Sequence, residues 1–180
     1  MNRRRTLLAA ALPAAGLLAG CATPRPEDYA AERPVLDLAR YFDGRVTAHG
    51  VFQDRNGRVV KRFTVQIDGQ WQGDRGTLDE RFLYSDGSTQ RRVWRLQRGA
   101  DGAWRGEADD VVGAAEGRAM GNALNWRYTL RLPVDGREWE VQFDDWMYLV
   151  DERVMLNRAT MSKFGFRLGE VTLAFHKHTP

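Results

Sequence analysis

Large apolar side chains recur at every second position through most of the chain. In 59–67, Val59, Phe63, Val65 and Ile67 share one face, while Arg58, Arg62, Thr64 and Gln66 share the other. In 124–132, Leu124, Trp126, Tyr128, Leu130 and Leu132 face one way; Asn125, Arg127, Thr129 and Arg131 face the other. Trp139, Val141 and Phe143 oppose Glu138, Glu140 and Gln142, and Val171, Leu173 and Phe175 alternate with Thr172 and Ala174. This period of two with one polar face predicts antiparallel strands, solvated on one side.

Turn signals punctuate the strands at short intervals: Asn56-Gly57, Asp68-Gly69, Asp86-Gly87, Asp101-Gly102 and Asp135-Gly136. Such pairs suit the positive φ that tight hairpins demand. Runs near 45–53, 58–67, 70–74, 77–85, 88–97, 103–109, 112–119, 122–132, 137–149, 153–161 and 166–176 give eight to ten strands once adjacent runs are merged. The expected fold is all-β. Consecutive hairpins form an antiparallel up-and-down meander, and closure into a lipocalin-like barrel removes its edges. Val35–Phe42 reads as a short N-terminal helix. Glycines 102, 106, 113, 117 and 121 read as bends in strands, since neither GxGxxG nor a P-loop pattern is present.

Residues 1–20 follow a different rule. Arg3-Arg4-Arg5 precedes a short run of Leu, Ala, Pro and Gly, the layout of a secretory signal too short to span a bilayer. The segment ends Leu18-Ala19-Gly20-Cys21, which resembles the lipobox of bacterial lipoproteins. That resemblance implies cleavage before Cys21, acylation of its thiol and new amine, and, with Ala22 next, an outer-membrane destination. The expected organisation is 1–20 signal, 21–34 lipidated tether and 35–180 a single barrel domain. The formal net charge of +3 equals the three arginines of the signal. The remainder is balanced and carries no basic excess for nucleic acid. Cys21 is the sole cysteine, so no disulfide forms within the fold.

Three stretches, YFDGRVTAHGVFQDRNGRVVKRF, ADDVVGAAEGRAMGNALNWRYTL and FDDWMYLVDERVMLNRATMSKFGFRLGEVTL, together resemble a family of proteobacterial lipoproteins known as a domain of unknown function. The resemblance spans most of 38–176. It implies a lipid-anchored, β-rich protein, lipocalin-like in outline, and transfers no catalytic residue. The Gly-x-Trp of lipocalins themselves is replaced by Gly44-x-Val46 and Gly50-x-Phe52.

Chemistry is sparse. Ser85, Ser88 and Ser162 lie in no Gly-x-Ser-x-Gly elbow. His176 and His178 share a strand face and would need a third ligand, such as His49, to hold a metal. No metal or cofactor is expected. Asp144 and Asp145 point to opposite faces of a strand. Continuing the Val141–Phe143 parity, Asp145 turns inward and needs a partner, with Lys61, Arg92, Arg158 and Lys163 as candidates. Asp151-Glu152 reads as a hairpin turn. Surplus aromatics and methionines suit either a packed core or an acyl-chain pocket. The expected ligand-binding residues are Trp126, Tyr128, Trp139, Phe143, Trp146 and Met155, with Asp145, Asn157 and Arg158 as polar anchors. The leading expectation is a lipoprotein on the periplasmic face of the outer membrane, binding a lipid or fatty-acyl ligand. The alternatives are an envelope lipid-modifying enzyme using a barrel carboxylate, and a structural protein whose barrel is filled by its own side chains.

Overall fold

The computed structural model describes residues 23–134 and 136–179. Cys21 and the signal therefore lie outside the described residues. Ten strands follow one another in the order β1 (Gly44–Asp54), β2 (Val59–Gln72), β3 (Arg75–Tyr84), β4 (Thr89–Arg98), β5 (Trp104–Glu107), β6 (Ala115–Met120), β7 (Ala123–Val134), β8 (Arg137–Leu149), β9 (Val154–Lys163) and β10 (Phe166–Lys177). Each pairs antiparallel with its sequence neighbours, and β1 pairs with β10 to close the barrel. The meander expected from the alternation is thus present. The run at 70–74 is no separate strand but the end of β2, because Trp71 and Gln72 keep their register against Gly76 and Arg75.

Closure leaves an inward-facing row on every strand. Val46 and Ala48 of β1, Val65 and Ile67 of β2, Leu124, Trp126 and Leu130 of β7, and Val141 and Phe143 of β8 are all buried. Strands need small residues where large neighbours cross: a Cβ on Gly106 or Gly117 would overlap the Trp126 ring.

One end of the barrel is plugged. Asp37 caps the single-turn helix α1 (Leu38–Phe42), accepting from the Arg40 amide at 3.0 Å. Leu38, Tyr41 and Phe42 are buried. Tyr41 donates to the Arg153 carbonyl at 2.9 Å, and Phe42 meets Phe175 edge-on at 5.9 Å. The Phe42 carbonyl presses against Gly69, where a Cβ would overlap it. The helix is shorter than the expected 35–42 because Val35 and Leu36 are not helical and Asp37, its N-cap, is extended.

Part of the segment expected to be a lipidated tether, 21–34, touches the barrel. A 3-10 turn at Pro26–Tyr29 packs on β6 and β7. Tyr29 lies against Trp146 and Tyr148 on the outer wall, its hydroxyl 3.2 Å from that of Tyr148.

The opposite end carries the turns at 55–58, 85–88 and 164–165, Gly136 and the loop 108–114. Exposed apolar side chains gather there: Val59, Val60, Val134, Trp139, Phe164, Phe166 and Leu168.

Candidate functional site

The barrel encloses a cavity of about 1000 Å³, at the upper end of the range for small-molecule sites. Leu38 and Phe42 of the plug form part of its lining, so the cavity bottoms on α1. Val134, Trp139 and Leu168 line it near the other end, where they are also exposed. The interior is therefore not filled by its own side chains, as a purely structural barrel would require.

Most of the wall is apolar and aromatic. Trp94 meets Tyr128 edge-on at 5.5 Å, and Tyr128 stacks on Phe143 at 5.0 Å. Phe63 and Phe82 extend the aromatic lining across β2 and β3.

Set into this wall is a charged cluster. Glu80 and Arg92 are direct partners across the β3–β4 ladder, and both line the cavity. Arg92 grips Asp110 with Nε at 2.9–3.0 Å and Nη2 at 2.7 Å. Its Nη1 lies 3.9 Å from Glu80. Gln90 donates to Asp110 and accepts from the Tyr84 hydroxyl at 2.7 Å. Burial opposes the charge on Arg92, but Asp110 and Glu80 outweigh it and hold the guanidinium firmly protonated. Burial pushes Glu80 up to about 7, although Arg92 pulls the other way.

Asp145 stands apart from this cluster. It is 6% exposed. Tyr128 donates to its Oδ2 at 3.2 Å. Burial raises its pKa to about 7, against the lowering effect of the Tyr128 hydrogen bond, with Asp144 adding repulsion. Arg92 favours the carboxylate through its field rather than by a direct ion pair. The other expected cations are engaged elsewhere. Lys61 pairs with Asp86 at 2.9 Å, Arg158 with Glu170 at 2.7 Å, and Lys163 donates to the Glu140 carbonyl. Asp144 points outward, as its parity requires, accepting from Asn125 at 2.6 Å. Asp151 closes the β8–β9 turn by accepting from the amides of Arg153 and Val154.

Trp126, Tyr128, Trp139, Phe143, Asp145 and Asn157 all line the cavity. Three expected residues do not. Trp146 follows inward-facing Asp145, so strand alternation turns it out, where it stacks on Tyr148 at 6.1 Å. Arg158 follows inward Asn157 and faces out by the same rule. Met155 does point inward but is wholly buried in packing near the plug, opposite Leu149 and Phe175. Glu80 and Asp110 were not expected, and Arg92 was expected only as a partner for Asp145. A signal was present for Glu80 and Arg92: each is a charged residue at an apolar-parity position of its strand.

His178 contacts Thr47 at 2.7 Å, and His176 packs against His178. No group of three metal-ligating side chains is found among the described residues.

A family model described as "Protein of unknown function (DUF3833)" matches residues 15–177. The chain belongs to the DUF3833 family. That match agrees with the resemblance carried by the three motifs above and covers the whole barrel of this DUF3833 member. No curated protein matches the chain. Among solved structures, it is similar to a designed protein, described as a de novo design of a fluorescence-activating β-barrel. The TM-score is 0.43 and the identity 12%, over 79% of this chain and 99% of the designed one.

Proposed function

We propose that this protein is a lipid-anchored envelope protein that holds a hydrophobic ligand, of lipid or fatty-acyl type, inside its barrel. The observation that carries the reading is the cavity of about 1000 Å³ with a predominantly apolar, aromatic wall, closed by α1 at one end. A fully packed barrel would be more stable, since unfilled apolar volume forfeits dispersion contacts. Retaining that volume suits a protein that fills it with a ligand. Trp126, Tyr128, Trp139 and Phe143 would hold the apolar body, with Asp145 and Asn157 as polar anchors. Lipidation at Cys21 would keep the barrel at the membrane that supplies the ligand, on the periplasmic face of the outer membrane. The sequence supports this through its signal layout and lipobox-like Leu-Ala-Gly-Cys. The test is native mass spectrometry of protein purified gently from its own host, followed by analysis of the extracted lipids. A stoichiometric apolar adduct is expected. Protein that emerges at its bare mass and also fails to bind a fluorescent lipid probe overturns the reading.

One observation favours a second reading. Asp145 is a buried cavity carboxylate whose pKa is raised to about 7, the range suited to a general acid or base. In that reading the barrel modifies an envelope lipid rather than storing it. Incubation with host lipid extract distinguishes the two: an enzyme leaves a changed lipid, lost in Asp145→Asn, whereas a carrier returns every lipid unaltered.

A further inference from the structure

Two polar side chains deep in the cavity, Asp145 and Asn157, carry unpaired acceptors. Asp145 Oδ1 and Asn157 Oδ1 are buried acceptors that receive no hydrogen bond of normal geometry from the described residues, the Asn157 amide only weakly favouring the Asp145 carboxylate. Asp145 is 6% and Asn157 2% exposed, and both line the cavity. The β8–β9 register sets Asp145 opposite Ala159 and Met147 opposite Asn157, so Asp145 and Asn157 occupy adjacent inward positions on neighbouring strands. A buried acceptor left unpaired is costly, and a donor delivered to it recovers that cost.

The cationic and phenolic side chains of the cavity already have partners. Arg92 commits Nε and Nη2 to Asp110 and turns Nη1 towards Glu80. The Tyr128 hydroxyl donates to Asp145, and the Tyr84 hydroxyl to Gln90. Lys61 pairs with Asp86, and Arg131 donates to the Asp109 carbonyl. Three carboxyl groups, Glu80, Asp110 and Asp145, line the cavity. Lys61, Arg92 and Arg131 line it too and balance them in number, so the preference is set locally: at the Asp145–Asn157 pair an entering carboxylate meets two acceptors, whereas an N–H group meets partners.

We propose that the cavity selects an apolar molecule bearing a hydrogen-bond-donating, non-anionic head, with an amine favoured, whose N–H groups meet Asp145 Oδ1 and Asn157 Oδ1. This rests on the hydrophobic-ligand reading and refines it: a fatty acid as its free anion becomes the poorer occupant. The chain threads along the aromatic wall of Phe82, Trp126 and Phe143 while the head reaches the acceptor pair.

The test is calorimetric titration of the barrel near pH 7 with dodecylamine, dodecanol and dodecanoate, which share one chain and differ in the head. The amine is expected to bind roughly tenfold or more tightly than the carboxylate, the factor set by one charge-assisted hydrogen bond, with the alcohol between them. Asp145→Asn and, independently, Asn157→Leu should each lower amine affinity several-fold and leave dodecanol within about threefold, with near-ultraviolet circular dichroism confirming the fold. Dodecanoate binding as tightly as dodecylamine overturns the head-group inference and leaves the hydrophobic site standing. Equal binding of all three, in the parent or after either substitution without loss, does the same. Failure of all three to bind overturns both.

Discussion

Arg92→Met removes the charge at the centre of the interior cluster while keeping most of the side-chain volume. Arg92 is 11% exposed and faces Asp110 and Glu80, whose side chains are 25% and 14% exposed. Removing one partner of a buried pair costs about 3–5 kcal/mol because the other charge is left uncompensated. Asp110 retains some solvent contact, so the lower end, about 3 kcal/mol, applies. For a domain of this size each kcal/mol shifts Tm by about 2–4 °C, so the expected loss is roughly 6–12 °C at pH 8. The loss should shrink at pH 5. There Glu80, with its pKa raised to about 7, is protonated and needs no counter-charge. Glu80→Gln in the Arg92→Met background should recover part of the stability at pH 8. Thermal unfolding followed by circular dichroism at both pH values reads all three effects. A drop under about 2 °C at pH 8, or the same drop at both pH values, would refute the claim that these charges support one another inside the barrel.

Further expectations follow from the plug, the buried acids and the N-terminus. Gly69→Ala places a Cβ against the Phe42 carbonyl and should loosen α1, lowering Tm and quickening hydrogen exchange at Tyr41 and Phe42. Unchanged protection there would show that the plug is not held by this contact. Asp145 and Glu80 have folded-state pKa values raised to about 7, so the folded state binds protons that the unfolded chain has released between about pH 4 and pH 7. Their contribution is full at the acid end of that window and is lost as pH rises through 7. Asp79, Asp86, Asp151 and Glu170, held low by hydrogen bonds and ion pairs, act oppositely and only at lower pH. Tm should therefore be several degrees higher at pH 5 than at pH 8, and Asp145→Asn should flatten that slope; a slope unchanged by the substitution contradicts the assignment. Cys21→Ser in the full chain should abolish incorporation of labelled palmitate and move the protein from membrane to soluble fractions. Persistent membrane association would remove the anchor from the account.

The alternation along each strand made most of the fold legible, because a closed antiparallel barrel requires one apolar face and offers few other solutions. Asp145 inward and Asp144 outward followed from Phe143 by parity alone. The same rule excludes Trp146 and Arg158 from the cavity, since neighbours of inward residues cannot share their face. Residue type had outweighed position in that expectation. Met155 shows a different limit. Parity tells inside from outside but not wall from floor, and only the seating of α1 under Phe175 decides which inward residues pack solid. Glu80 and Arg92 broke the apolar pattern of β3 and β4, and such breaks read as interruptions until closure shows that they face each other. Asp110 lies in the β5–β6 loop, where no periodicity applies, so its grip on Arg92 depended on the three-dimensional path of that loop.

The central claim is that the cavity holds an apolar chain. It is tested most directly by titrating the barrel with n-alkyl ligands of increasing length on one constant head group. Each methylene buried contributes about 0.8 kcal/mol, so the dissociation constant should fall about fourfold per added carbon and then level off once the chain fills the cavity between the acceptor pair and the wall. Affinity that does not change with chain length would contradict the account.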